Sequence, residues 1–312
     1  MSEVKSLRVA YGEALVELGK KSDAVVTLEA DLGKSTQSIM FGTEFPDRHF
    51  EMGIAEQNMA STAAGLALVG KIPFFNTFAI FAAGRAFDQV RNSICVPNLK
   101  VRICGSSAGL SDYGDGKTHQ MIEDMALMRA LPHMTVVCPC DAVEVKKMMA
   151  CMLDWDGPVY IRINRNDLPV VYPEHEQYHI GKVTKMRDGA DVAVFACGVM
   201  TAKALEAAEA LEADGVSVKV LNVGTIKPLD REAIIEHASG VRAIVVAEEH
   251  TIIGGLGGAI LEALRGVSHA PAEFVGVEDT FGASAENYDI LMNHFGLTSD
   301  AIVSAVKKLL SA

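Results

Sequence analysis

The sequence predicts an α/β protein of two domains, each a mostly parallel sheet flanked by helices. Three observations carry this reading. Helix-spaced and strand-like segments alternate along nearly the whole chain, the pattern of parallel strands joined by crossover helices. The chain has 312 residues, 49% of them apolar, enough for more than one core. A stretch rich in proline and polar residues, Pro169-Val-Val-Tyr-Pro173-Glu-His-Glu-Gln-Tyr178, interrupts the alternation near the middle. The first domain is therefore placed at residues 1–172, a linker at 173–189 and the second domain at 190–312.

Taken in order, Leu7, Ala10, Ala14, Leu15 and Leu18 recur at helical spacing over 6–20. The β-type run 24–28 leads into a polar loop, Glu29-Ala-Asp31-Leu-Gly-Lys-Ser35, and loops after strands are where open α/β sheets place ligand contacts. A helix is expected after Glu56, a strand over 72–76, a helix over 84–94 and a strand over 100–104. The spacing then predicts a helix over 118–131, a strand over 135–138, a helix over 141–153 and a strand over 159–163. Beyond the linker, a hairpin-like run over 178–187 and the turn Asp188-Gly189 precede strands at 192–196, 217–222, 243–247 and 273–277. Helices fill the gaps between them and end the chain.

Composition narrows the function. Forty acidic residues against 28 basic ones give a net charge of −12, the wrong sign for a protein whose main partner is nucleic acid or an anionic membrane. The N-terminus is polar, and the longest uncharged run, between Glu56 and Lys71, is too short to span a bilayer; a cytoplasmic protein is expected. The six cysteines form no CxxC pair, so neither a disulfide framework nor a zinc site is indicated.

Several segments carry candidate chemistry. Glu56, in Glu51-Met-Gly-Ile-Ala-Glu-Gln-Asn-Met59, leads into the uncharged run 59–69. It is either a first-turn acid favoured by the helix dipole, or a poorly solvated carboxyl able to share a proton with a ligand base. Phe74, Phe75, Phe78, Phe81 and Phe87 are five of the 12 phenylalanines and serve either as core or as a stacking wall for a flat heteroaromatic ligand. His119, beside Asp115 in Asp115-Gly-Lys-Thr-His119-Gln, is a capping group at a helix start or a handler of protons and hydroxyls. Arg165 follows a strand and is either solvated or a phosphate clamp. Gly254-Gly-Leu-Gly-Gly258 lacks the third glycine of a dinucleotide fingerprint and is read as close helix–strand packing.

Together these segments resemble the C-terminal portion of a transketolase, its pyrimidine-binding domain followed by its C-terminal domain, over essentially the whole chain. The resemblance is carried by Gly-Ile-Ala-Glu56-Gln-Asn-Met, Thr-Phe78-Ala-Ile-Phe81, Gly-Asp115-Gly-Lys-Thr-His119-Gln, and Asp-Gly-Pro158 with Arg165 seven residues beyond. An arginine also precedes the family's Ala-Asp-Leu-x-x-Ser segment by the interval that separates Arg8 from Ser35.

The resemblance implies a thiamine diphosphate enzyme that transfers a two-carbon ketol unit from a ketose, or its phosphate, to an aldose, as in pentose phosphate metabolism. Glu56 would hydrogen-bond the aminopyrimidine nitrogen of the cofactor and so help to activate it. Phe81, with Phe78, would stack on that ring, and Asp31 would lie close to it. Asp115 and His119 would contact substrate hydroxyls, and Arg8, Ser35 and Arg165 would bind the sugar or its phosphate. The family's diphosphate- and metal-binding loops are not matched. Gly114-Asp-Gly116 resembles the start of such a loop, but the window 140–147 supplies no asparagine, so no metal site is expected on this chain. The implied partner is an N-terminal subunit that holds the diphosphate and Mg²⁺ or Ca²⁺, in an α2β2 heterotetramer. One departure concerns the substrate: Ser106 and Ser107 stand where the family usually has a phosphate-binding histidine, and the loop from Ser111 to Gly114 is one residue longer. The rival readings are a β-subunit of a 2-oxo acid dehydrogenase, a relative of deoxyxylulose phosphate synthase, and a non-catalytic interaction subunit.

Overall fold

The computed structural model describes residues 3–311. Its strands, in chain order, are β1 (Val4–Ser6), β2 (Val25–Glu29), β3 (His49–Glu51), β4 (Ile72–Phe78), β5 (Arg102–Ser106), β6 (Thr135–Val137) and β7 (Val159–Arg162). They continue with β8 (Asp167–Pro169), β9 (Thr184–Arg187), β10 (Val192–Ala196), β11 (Val218–Asn222), β12 (Thr225–Lys227), β13 (Ala243–Thr251) and β14 (Ala272–Val277). The architecture is α/β, with two mostly parallel sheets flanked by helices. The first sheet has the order β12-β6-β7-β5-β4-β2-β3 and the second β14-β13-β10-β11-β9. In each, one edge strand runs antiparallel, β12 on β6 and β9 on β11. A two-stranded ribbon, β1 with β8, ties the N-terminal segment to the chain that follows β7.

Central strands such as β2, β5 and β10 are buried at every position; β10 is wholly apolar, as a strand covered on both faces should be, while β2 and β5 also bury Glu29 and Arg102. The helix Leu7–Lys21 starts at Ser6, whose hydroxyl accepts from the Val9 amide, and packs on the helix Ala142–Asp154. The latter starts at Asp141, which accepts from the amides of Val143 and Glu144 at 2.9 Å each, and buries Met148, Met149 and Met152.

Three expectations are corrected. The run 178–187 is no hairpin: only Thr184–Arg187 is a strand, and its partner is β11, 30-odd residues on. The helix expected over 118–131 begins at Asp124, because Gly116–Thr118 forms a tight 3₁₀ turn and Met121 then pairs with Gly109. His119 therefore lies on a loop, not at a helix start. The helix expected over 84–94 extends from Ile80 to Cys95 and is wound mostly in wide π-type turns, with i→i+5 bonds from Ala86 to Phe81 and from Val96 to Arg91. Such turns are frequent at functional sites.

The two sheets meet through polar groups out of water. Arg162 on β7 donates to both carboxylate oxygens of Asp124, at 3.1 and 3.0 Å, and to the carbonyl of Glu249 at 2.7 Å. Tyr160 also donates to Asp124, at 2.8 Å. Glu144 accepts from the Cys140 amide and from Asn222 on β11.

Burial pushes the carboxyls of Glu29 and Glu144 up from 4.5 to about 7, against hydrogen bonds that favour their charged forms. The folded chain then holds two protons that the unfolded chain releases above pH ~4.5. Their contribution is full below that pH and is lost as pH rises through about 7, by roughly 3 kcal/mol each at most. Urea denaturation should accordingly give a higher midpoint at pH 5.5 than at pH 8.

Candidate active site

The site lies at the carboxyl ends of β2, β4 and β5, where an open parallel sheet presents its loops. Glu29, the last residue of β2, fixes the first loop. Its carboxylate accepts from the amides of Ala30 and Leu32, from the hydroxyl of Thr36 at 2.8 Å, and from that of Ser38. This wraps the loop so that Asp31 takes a left-handed conformation, with φ 59°, and stands exposed. Glu51, the last residue of β3, accepts from the amides of Asp31 at 2.8 Å and Gly53 at 2.9 Å, and so joins this loop to the turn that leads into Glu56.

Glu56 opens the helix Glu56–Leu68 and is 1% exposed. The sequence suggested that it faces an apolar surface; the structure adds a cation. One guanidinium nitrogen of Arg85 donates to both Glu56 oxygens, at 2.9 and 2.8 Å. The same guanidinium lies 4.2 Å from the centre of the Phe81 ring. Phe78 stacks nearly parallel to Phe81, with centroids 6.2 Å apart, and His119 meets Phe81 edge-on at 5.8 Å. Phe74 and Phe75 are core residues of β4. A flat, delocalised cation held between a carboxylate and an aromatic face is a stand-in for a flat nitrogen base, so these residues fit an aminopyrimidine. Arg85 escaped the sequence reading because its contact with Phe81 and Glu56 depends on the wide turn over Ile80–Arg85.

A second cluster gathers Arg8, Ser35 and Arg165. Arg8 donates to the Ser35 carbonyl at 2.9 Å, and Arg165 pairs with Asp112 at 2.8 Å. Burial, and then the nearby Arg165 charge, lower the Arg8 pKa, while burial raises that of Asp112. The buried Nε of Arg8 has no protein partner. Arg8 and Arg165 line a polar cavity of about 540 Å³ with Tyr113, Asn166, Asp167 and Asp289. Two neighbouring guanidiniums with an unmet donor suit an oxygen-rich anionic or hydroxylated group.

Asp115 is exposed on the loop between the clusters, four residues before His119. Asp112, which the sequence reading passed over, is the carboxylate that touches Arg165. Ser106 and Ser107 are fully buried, their hydroxyls have no partner, and Ser107 has φ 51°. The glycine run at 254–258 is occupied internally, since Glu248 accepts from the amides of Leu256 and Gly257 at the helix start. Among the described residues no group of three His, Cys, Asp or Glu is arranged to hold a metal ion, and no helix is long and apolar enough to cross a membrane.

Comparison with known proteins assigns the two domains. Residues 3–171 match the pyrimidine binding domain of transketolase, and residues 181–302 match the transketolase C-terminal domain. A putative transketolase C-terminal section from Methanocaldococcus jannaschii is 42% identical over 97% of this chain and 95% of its own length. A 6-deoxy-6-sulfo-D-fructose transketolase subunit from a Clostridium species is 40% identical over 97% and 94%. A solved structure described as a split gene transketolase, in an inactive β4 tetramer, superposes with a TM-score of 0.90 at 46% identity, covering 99% of both chains. The chain belongs to the transketolase family, whose pyrimidine-binding and C-terminal domains it contains.

Proposed function

We propose that the chain is the C-terminal subunit of a thiamine diphosphate-dependent transketolase that moves a two-carbon ketol unit from a ketose to an aldose. The observation that carries this is the buried Glu56 facing Phe81 across the Arg85 guanidinium, a seat for one flat base. Thiamine diphosphate, when bound, supplies the electron sink that holds the two-carbon unit between donor and acceptor. Glu56 would hold a proton at the aminopyrimidine nitrogen, Phe81 with Phe78 would stack on the ring, and Asp31 would lie close to it. His119 and Asp115 hold substrate hydroxyls and exchange protons with them. Arg8, Ser35 and Arg165 take the distal end of the sugar.

The diphosphate and its Mg²⁺ or Ca²⁺ fall to a separate N-terminal partner, in an α2β2 assembly. Exposed apolar residues flank the site, with Ile54 two residues before Glu56 and Leu68 and Val69 at the far end of its helix, a surface that a partner would cover. The family's phosphate-binding histidine is replaced by Ser106 and Ser107, uncharged groups that leave the distal group of the sugar open between a phosphate, a sulfonate and a hydroxyl. The sulfonated sugar in the name of the Clostridium relative is consistent with that range.

The test is the reconstituted pair, assayed with a ketose phosphate and with pyruvate. Turnover of the ketose supports the reading; turnover of pyruvate alone would assign the chain to the 2-oxo acid branch instead. Within this assay, Arg165→Ala should raise KM for a phosphorylated ketose by about 10- to 100-fold, the loss of one charge-assisted hydrogen bond, with a smaller change in kcat. An unchanged KM would remove Arg165 from the substrate site.

A further inference from the structure

The loop that carries Asp112, Asp115 and His119 is closed at its neck by two hydrogen bonds between Gly109 and Met121, at 2.8 and 3.1 Å. Beyond the neck, several of the loop's contacts are made with the second domain. Glu249, in β13, accepts from the Leu110 amide at 2.8 Å, and a Cβ on Gly109 would meet that carboxylate at 2.5 Å. Ala285 donates from its amide to the Tyr113 carbonyl at 3.0 Å. Gly116, with φ 75°, sits so close to Ser284 that a Cβ there would lie 2.2 Å from the hydroxyl. At the centre is Gln120, 4% exposed, whose amide donates at once to the Asp112 carbonyl at 3.1 Å and the Ala283 carbonyl at 2.8 Å.

We infer that Gln120 is a positioning residue for the transferase reaction, and that the segment Gly282–Ala285 of the second domain is the seat that sets where Asp115 and His119 stand. The inference rests on the function proposed above. One amide group ties the start of the loop to that seat, and the residue it follows in sequence is His119. Moving the seat moves the imidazole. The seat is close-fitting: a Cβ on Gly282 would fall 1.8 Å from the Gln120 side-chain oxygen, so even a methyl group must push that amide out of its place. Glu56, Phe78, Phe81 and Asp31 are held by other elements, through β2, β4 and the helix after Glu56, and would stay in place. The second domain touches substrate chemistry through this loop, without contacting the cofactor's seat.

Two variants approach the contact from opposite sides, Gln120→Met and Gly282→Ala. Each is measured in the complex with the N-terminal partner for kcat/KM with a ketose phosphate, and by calorimetry for thiamine diphosphate affinity in the presence of Mg²⁺. Amide hydrogen exchange over residues 110–121 is compared in the chain alone. Both variants should lower kcat/KM by up to about 100-fold, the scale of a 1 Å misplacement, with cofactor affinity within about twofold and faster exchange from Tyr113 to His119. Equal falls in kcat/KM and cofactor affinity would show a merely structural role and overturn the inference, as would unchanged kcat/KM. A wild-type complex inert toward ketoses would defeat the functional reading instead; unchanged exchange in both variants would still overturn the seat.

Discussion

In the reconstituted complex, Glu56→Gln lowers ketol transfer by about 10²- to 10⁴-fold, the usual range for removing a group that holds a proton in the reaction. The substitution is chosen because its structural cost is small. The amide oxygen can still accept from Arg85, which bonds both carboxylate oxygens in the folded chain, and the side-chain volume is kept. What is lost is the negative charge that lets a neighbouring base nitrogen carry a proton. Chain stability and assembly with the partner, followed by thermal denaturation and sedimentation, should change little. Turnover within a factor of two of wild type would remove Glu56 from the chemistry, and with it the central assignment of the site.

The largest effect on stability is expected at the buried ion pair of Arg162 and Asp124, inside the first domain and against Glu249 of β13. Arg162→Met leaves Asp124 with no cation, at a position fully shielded from water, and leaves Glu249 without its nearest positive charge, 3.6 Å away. Breaking a buried pair from one side costs about 3–5 kcal/mol because the remaining charge is uncompensated. The double variant Arg162→Met with Asp124→Leu removes both charges and should recover much of the loss. Denaturant titration of the three chains decides it. A cost under about 1 kcal/mol for the single variant would mean that Asp124 finds a proton or water in place of the arginine.

Much of the fold could be read from local pattern. The periodicity of Leu7 to Leu18 and the apolar runs that became β2, β4, β10 and β13 are properties of neighbouring residues, and the structure has them within a few positions. What stayed hidden depends on residues far apart. Thr225–Lys227 is too short to announce a strand and gains its identity only by pairing with β6. Thr184–Arg187 reads locally as half of a hairpin, whereas its true partner, β11, is distant. The site divides the same way. Glu56, Phe81 and His119 stand in distinctive segments, and the structure sets His119 edge-on to the Phe81 ring and joins Glu56 to that ring through Arg85. Arg85, Asp112 and Gln120 were passed over because an arginine, an aspartate and a glutamine carry no local sign of a contact made 29, 53 or 163 residues away.

The pairing of β12 with β6 bears on how the molecule comes apart. A protease cut between 173 and 189 would leave the first fragment with β6 as a bare, adhesive edge, and the second with a three-residue strand that has nothing to pair with. The nicked halves should therefore remain together through purification and melt in one transition. Expressed separately, the first fragment should aggregate unless the second is supplied in trans.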